Sequence, residues 1–523
     1  MRQSEIHRRK LHRRQRRIVL LGACAVGLAS GGLAVFFQSA VAISEGASLR
    51  VALVSDSMGL AGWIWLAVLG AVLGACAGWV TEKFCPEAGG SGIPDVKAVL
   101  MNLRQLRPFV LIPTKMVGGI LALAAGMSLG REGPTIQIGA AVGKIVAKLG
   151  KLPRRSLPIL IAAGAGAGLG AAFNAPLAGF LFVMEELKRE MSPLTYGAAL
   201  IASVSAVAVE RFALGQASSF ALHNPTPVAL RALPLVLLLG VTSGFLGVGF
   251  NKLTISLIEF RERIKVSRWL AGAVVGVVAA MFLRLLPEVT GGGHSLTHSL
   301  LTGSLDLKLS LGFVSLLLVT KLFLTSSSFA TGVPGGIFAP ILAMGALEGY
   351  LFGAIVHVVF PGLEISPHVF ATIGMASMLS ASVRAPLTGV VLIVEMTQEY
   401  SLLYALLLGA FISYVLADLM KDKPIYEALL EHSLHRSGEL GTLPEETVPV
   451  DLVVEPDSFM DGRFVRHLNL PKGTLIVSIE REGGLIIPHG DTRIRYGDHV
   501  EVLVSGEYGE EALLALHDAA KAP

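Results

Sequence analysis

Charge is scarce in this chain: Asp, Glu, Lys and Arg make up 16% of 523 residues, against 53% hydrophobic. That balance excludes an ordinary soluble globular protein of this length. Cysteine is nearly missing. Cys24, Cys76 and Cys85 are odd in number and lack metal-ligand spacing, which argues against a disulfide framework and leaves them as packing residues. No G-x-x-x-x-G-K-[ST] run occurs, so an ATP-driven pump lacks its phosphate cradle. No cofactor is implied. Acid is almost absent from residues 2–17, where Arg2, Arg8, Arg9, Lys10, Arg13, Arg14, Arg16 and Arg17 stand against Glu5 alone. The positive-inside rule puts such an N-terminus in the cytoplasm. A nucleic-acid arm, or a signal peptide cleaved at "SAVAIS" (39–44), shares the basic start. The apolar stretch between is longer than a signal-peptide core, which favours a retained first helix and no nucleic-acid partner.

Long apolar runs are what the chain has instead. Ile18–Gln38, Leu60–Val80, Leu233–Phe250, Trp269–Leu286, Leu309–Leu324 and Leu402–Leu419 approach the ~20 residues a helix needs to span a bilayer. Other runs are short or broken by Gly and Pro. The expected fold is an all-α polytopic membrane protein followed by a small cytosolic α+β domain. Its expected parts are a basic N-terminus (1–17), a membrane domain (18–432), a linker (433–447) and a C-terminal domain (448–523). In the last, "TLIVSI" (474–479), "GLIIP" (484–488) and "HVEVLV" (499–504) alternate as strands and Glu510–Ala520 has a helical pattern.

The membrane part repeats itself. "GREGPTIQIGAAVG" (130–143) aligns with "GIFAPILAMGALEG" (336–349), and "NAPLAGFLFVMEE" (174–186) with "RAPLTGVVLIVEM" (384–396). Gly and Pro are common in membrane helices, but two matches in the same order at nearly one offset indicate two related halves. Gly/Pro-interrupted segments at matching places in both halves point to a midplane transport site. Three segments, "GGSGIPD" (89–95), "GREGP" (130–134) and "GGIFAP" (335–340), read as extended glycines running into a helix with Pro in its first turn. The amides and dipoles at such starts bind anions without a full positive charge. Glu132, inside an apolar stretch, costs at least ~2.5 kcal/mol to bury unaided, so its default reading is functional.

Together GSGIP (90–94), GREGP (130–134) and GxFxP (336–340) resemble the three signatures of the CLC family of chloride channels and proton-coupled chloride antiporters, and the resemblance covers roughly 15–432. It implies a homodimer of two independent pores, each subunit made of two inverted halves of tilted, broken helices. It implies that chloride is held by the Ser91 and Tyr426 hydroxyls and by backbone near Gly133, Ile337 and Phe338. Glu132 is the implied gating glutamate, and Glu186 the implied inner proton-transfer glutamate. Arg131 and Lys115 are implied to set the pathway potential. With both glutamates present, the expected activity is coupled H⁺/Cl⁻ exchange; the alternative is a passive, Glu132-gated chloride channel. The bland readings are an Arg131–Glu132 structural pair, disfavoured because adjacent residues at a helix start do not face each other, and an interfacial acid at Glu186.

The C-terminal "GTLIVSIEREGGLIIPHGDTRIRYGDHVEVLV" (473–504) resembles a TrkA-C (RCK-C) regulatory domain rather than paired CBS domains. It implies a cytosolic sensor of an unidentified small ligand, with His489, Arg493 and Arg495 as candidate contacts or simply a solvated face. The tail points to a prokaryotic plasma membrane. A different class, a membrane hydrolase with Ser91 as nucleophile and His294, His298 or His357 as base, has no apolar segment pairing a His with that Ser. His294 and His298 are spaced like a metal pair but lack a third ligand, so an exposed loop or helix-start role is expected and no metal site.

Overall fold

The computed structural model describes residues 2–101, 103–153, 156–188, 192–215, 220, 228–303, 310–362, 365–437, 447–481, 484–505, 512, 515, 516, 519 and 520; the side chains of residues 2–15, which carry most of the basic N-terminus, lie outside that description. The described residues form two units, Met1–Leu434 and His435–Pro523.

In the first unit the first half runs α1 Arg2–Asp56, α2 Leu60–Phe84, α3 Ile93–Leu100, α4 Pro108–Ala124, α5 Glu132–Leu149, α6 Leu157–Phe173, α7 Pro176–Phe182 and α8 Pro193–Leu214. The second half runs α9 Leu233–Arg263, α10 Arg268–Leu285, α11 His294–Thr302, α12 Leu311–Ala330, α13 Phe338–Val359, α14 Pro367–Val383, α15 Pro386–Thr397 and α16 Leu403–Leu419, and α17 Ile425–Ser437 follows. Among the described residues, eight helices are long and apolar enough to cross a bilayer. Two of them, α8 and α13, were not among the clearest apolar runs. The first helix outruns the expected Ile18–Gln38 span at both ends, and "SAVAIS" lies in its interior with Val41 buried in the core.

The repeated glycines are where helices touch. A Cβ on Gly139 would stand 2.0 Å from the Gly164 carbonyl oxygen, and one on Gly143 2.1 Å from that of Leu160, so α5 and α6 meet backbone to backbone. In the other half Gly345 and Gly349 do the same against Gly374 and Phe370, at 2.4 and 2.1 Å. Without a hydrophobic drive in lipid, such close approach is how membrane helices gain packing energy. The next repeat element behaves likewise. Asn174 and Arg384 close α6 and α14 in left-handed conformation (φ 56° and 67°), and Pro176 and Pro386 open the next helices. Glu185, just past α7, accepts the Leu387 and Thr388 amides at the start of α15 (3.1 and 2.7 Å). Its repeat mate Glu395, on α15, accepts the Leu177 and Ala178 amides at the start of α7 (3.0 and 2.8 Å). Each half thus caps the other.

The second unit is an antiparallel sheet of β1 Thr447–Val453, β2 Thr474–Arg481, β3 Gly484–Ile486 and β4 His499–Ser505 in the order β1-β4-β2-β3. Ile476, Ile479, Val500, Val502 and Val504 fill its core with Leu516 and Ala520, the step of three in β2 spanning a register shift after Ile476. Arg481 grips the buried Asp498 with two bonds of 2.7 Å. Of the expected linker, 433–437 continues α17, Thr447 opens β1, and 438–446 lies outside the described residues, as does most of the expected terminal helix.

Candidate ion-coupling site

The three Gly/Pro segments converge as the sequence suggested. Gly130 and Gly336 exchange two backbone hydrogen bonds (2.6 and 2.7 Å), the Gly90 amide donates to the Val333 carbonyl (2.9 Å), and the Gly335 amide donates to the Gly90 carbonyl (3.1 Å). The starts of α3, α5 and α13 are thereby stitched to one point. Gly92, left-handed at φ 85°, turns the chain into α3, where a side chain would strike Gln137 at 2.4 Å. Gly133 abuts Ser91: a Cβ there would stand 2.6 Å from the Ser91 hydroxyl and 3.0 Å from the Gly336 Cα. The opening amides of a helix have no acceptor within it, and at Ile337 and Phe338 they open α13 beside this junction.

Ser91 and Tyr426 are buried, and their hydroxyls face each other. Neither makes a well-formed hydrogen bond to a protein atom. Two buried O–H donors beside helix-start amides make a donor-lined cradle, and leaving a buried donor unmatched costs about 1–3 kcal/mol. Phe338 packs between Phe173 and Phe182, with ring centroids 5.4 and 6.4 Å away, and walls the cradle. Lys115 is fully buried and does not enter it: its ammonium donates to the Ala88 and Gly90 carbonyls (2.9 and 2.7 Å) and so holds the turn that carries Ser91.

Glu132 begins α5 and is fully buried. Its Oε1 lies 2.8 Å from His294 Nε2 and 4.0 Å from Arg131 Nε, while Oε2 has no hydrogen-bond partner. Arg131 thus stands at the limit of ion-pair distance despite the adjacent positions. The principal partner is His294. His294 does start a helix, as one of its expected roles had it, but it is directed at Glu132. Among the described residues no histidine is hydrogen-bonded to Ser91, and no group of three His, Cys, Asp or Glu side chains is placed to hold a metal ion.

Glu186 sits at the other acid position, fully buried on a π-helical turn, Val183–Lys188, that interrupts the run after α7. Such turns recur at functional sites because they reorient a side chain. Lys97, itself buried, donates to Glu186 Oε1 at 2.8 Å and lies 3.9 Å from Glu427. The sequence reading missed Lys97, which stands three residues after Pro94, about one turn into α3.

Helix starts that face each other across two inverted, interrupted halves, with ionisable groups buried at membrane depth, define a polytopic membrane protein of the transporter class. The chain belongs to the CLC family: the family model described as "Voltage gated chloride channel" matches residues 73–418, and that of the TrkA-C domain matches 450–514. It is 38% identical over 429 residues to the H⁺/Cl⁻ exchange transporter ClcA of Vibrio parahaemolyticus, covering 80% of this chain and 90% of that one. To ClcA of Citrobacter koseri it is 35% identical over 442 residues, 83% of this chain and 93% of the other. Among solved structures it is similar to a slow cyanobacterial Cl⁻/H⁺ antiporter, with TM-score 0.76 and 32% identity over 80% of this chain and 99% of that one. A eukaryotic CLC transporter shares the fold at TM-score 0.68 and 23% identity, over 80% of this chain and 74% of its own.

Proposed function

We propose that this chain is a proton-coupled chloride antiporter in a prokaryotic plasma membrane, with both termini cytoplasmic, working as a homodimer of independent pores. The observation that carries the reading is a carboxylate, Glu132, buried at a helix start within the same junction as two hydroxyls that lack good partners. Chloride is held by Ser91, Tyr426 and the backbone at Gly133, Ile337 and Phe338, which replace part of its hydration without binding it too tightly to leave. Ionised Glu132 competes for that cradle; protonated, it loses its attraction to helix-start amides and withdraws. Glu186 passes the proton to the opposite side, and Lys97 keeps it oriented. Arg131 and Lys115 set the potential along the path. The C-terminal unit carries regulatory input through a small ligand; its Arg493 guanidinium donates to the Gly462 carbonyl at 2.6 Å, which leaves His489 and Arg495 as the contacts to probe.

The test is proton movement in liposomes holding the purified protein, with a chloride gradient as the only driving force and voltage clamped by valinomycin and potassium. Uphill proton movement supports antiport. Chloride flux without it would make the protein a Glu132-gated channel and Glu186 an interfacial acid. Glu132→Gln is expected to abolish coupling while chloride still moves, and Glu186→Gln to stop protons while keeping chloride flux.

A further inference from the structure

The turn that carries Ser91 has a counterpart in the second half. Pro86–Ala88 and Pro287–Val289 are both 3-10 turns. Gly90 and Gly291 follow at φ 59° and 57°, Gly92 and Gly293 at 85° and 82°, and α3 and α11 then start at Ile93 and His294. Buried Lys115 ties the first turn through the Ala88 and Gly90 carbonyls; buried Lys321 ties the second through Val289 and Gly291 (3.1 and 2.8 Å). One turn presents a hydroxyl to the anion cradle. The other presents an imidazole to Glu132.

His294 is also where two openings meet. A cavity of about 440 Å³, lined by Glu45, Arg131 and Glu288, and another of about 310 Å³, lined by Phe173, Phe220 and His298, both have His294 in their walls. Its side chain is 31% exposed while that of Glu132 is fully buried, so the imidazole bridges vestibule water and the buried acid. Phe220 stacks on the ring at 6.2 Å between centroids and fixes its plane.

We propose that His294 is the proton relay and positioning partner of Glu132 on the vestibule side, an inference that rests on the reading of Glu132 as the gate. Imidazolium formed from vestibule water donates the Nε2 proton to Glu132 Oε1, which converts an ion pair into a neutral imidazole and a neutral acid. The imidazole then recovers its proton from water, and the reverse sequence releases one. No other reactant is needed. The other groups facing the pair are Arg131, Glu45 on α1, Lys321 on α12, Tyr426 on α17, His298 on α11 and Glu288 at the cavity rim. His298 stands behind Phe220 rather than on Glu132.

The experiment measures proton and chloride flux of the full reconstituted chain against vestibule-side pH from 5 to 8.5. It compares wild type with His294→Gln, which keeps a donor near Nε2 but cannot titrate, and with His294→Ala, His298→Gln and Glu132→Gln. Wild type is expected to show an inflection between pH 5 and 8. His294→Gln should flatten it and slow proton exchange roughly 10-fold or more, at the low end of or below the usual general-acid contribution; His298→Gln should keep the inflection. A wild-type profile without inflection, or a His294→Gln profile like wild type, would overturn the relay while leaving the gate standing. Retained coupling in Glu132→Gln would instead remove the gate, and the relay with it.

Discussion

At the residue scale, the path is built from groups whose partners are supplied by other segments. Lys97 and Glu186 lie 89 positions apart yet form a buried 2.8 Å pair. Breaking a buried pair from one side costs about 3–5 kcal/mol when the remaining charge stays. Lys97→Met, similar in length but uncharged, is therefore expected to lower protons carried per chloride by roughly 10-fold or more, each 1.4 kcal/mol being one decade; the ratio of the two fluxes in liposomes checks it. Ser91→Ala should act on the anion instead. Loss of one neutral donor removes about 1 kcal/mol, a roughly fivefold weaker chloride affinity by titration calorimetry, with the proton pathway intact. The places of Glu132 and Ser91 were legible because Gly and Pro around them mark helix starts locally, whereas Glu186 was singled out by the family resemblance alone, having no such residues beside it. Lys97 and His294 were not, because their roles are contacts through space; the one signal for His294 was the echo of "PEAGGSGI" in "PEVTGGGH".

At the element scale, the repeat was legible as spaced glycines, but its purpose was not. A matched glycine in sequence does not reveal whether it frees a turn or admits a neighbouring helix; the structure shows that Gly139, Gly143, Gly345 and Gly349 admit one. Gly139→Val and Gly345→Val are each expected to be severely destabilising, because the added side chain would meet the Gly164 or Gly374 carbonyl, which is backbone and cannot step aside. Loss of monodisperse elution after detergent extraction would register it. The reciprocal caps make a milder case. Glu185 and Glu395 each accept two amides at the start of the other half's helix, and losing such a cap costs about 1 kcal/mol. Glu185→Gln and Glu395→Gln should each lower the thermal midpoint of the membrane unit by a few degrees. Because α7 and α15 pack together, the double variant should depart from the sum of the two, which a double-mutant cycle measures.

At the scale of the whole molecule, two units with different solvents meet different constraints. The membrane unit pairs Lys97 with Glu186 within one half and Glu132 with His294 across the two, and composition alone had marked it as lipid-embedded. The C-terminal unit is held by a period-two core and by Asp498. Burial would raise that carboxyl, but the Arg481 hydrogen bonds and the Arg495 amide outweigh it and hold Asp498 below the usual carboxylate range. A carboxyl lowered on folding adds stability that is fully present above its unfolded value, about 3.9, and is lost as pH falls through its folded value. The C-terminal unit of wild type is thus expected to keep its protection at pH 4.5, and to lose this contribution only under stronger acid. Asp498→Asn leaves Arg481 without its bidentate partner and should cost about 3 kcal/mol at neutral pH. The four tryptophans, Trp63, Trp65, Trp79 and Trp269, all lie in the membrane unit, so their fluorescence cannot report on it. Hydrogen exchange of the β2 and β4 amides in the full chain can: protection in those strands should fall in the variant while α5 and α13 stay protected. Equal loss in both units would mean that Asp498 supports the whole chain, not its own sheet.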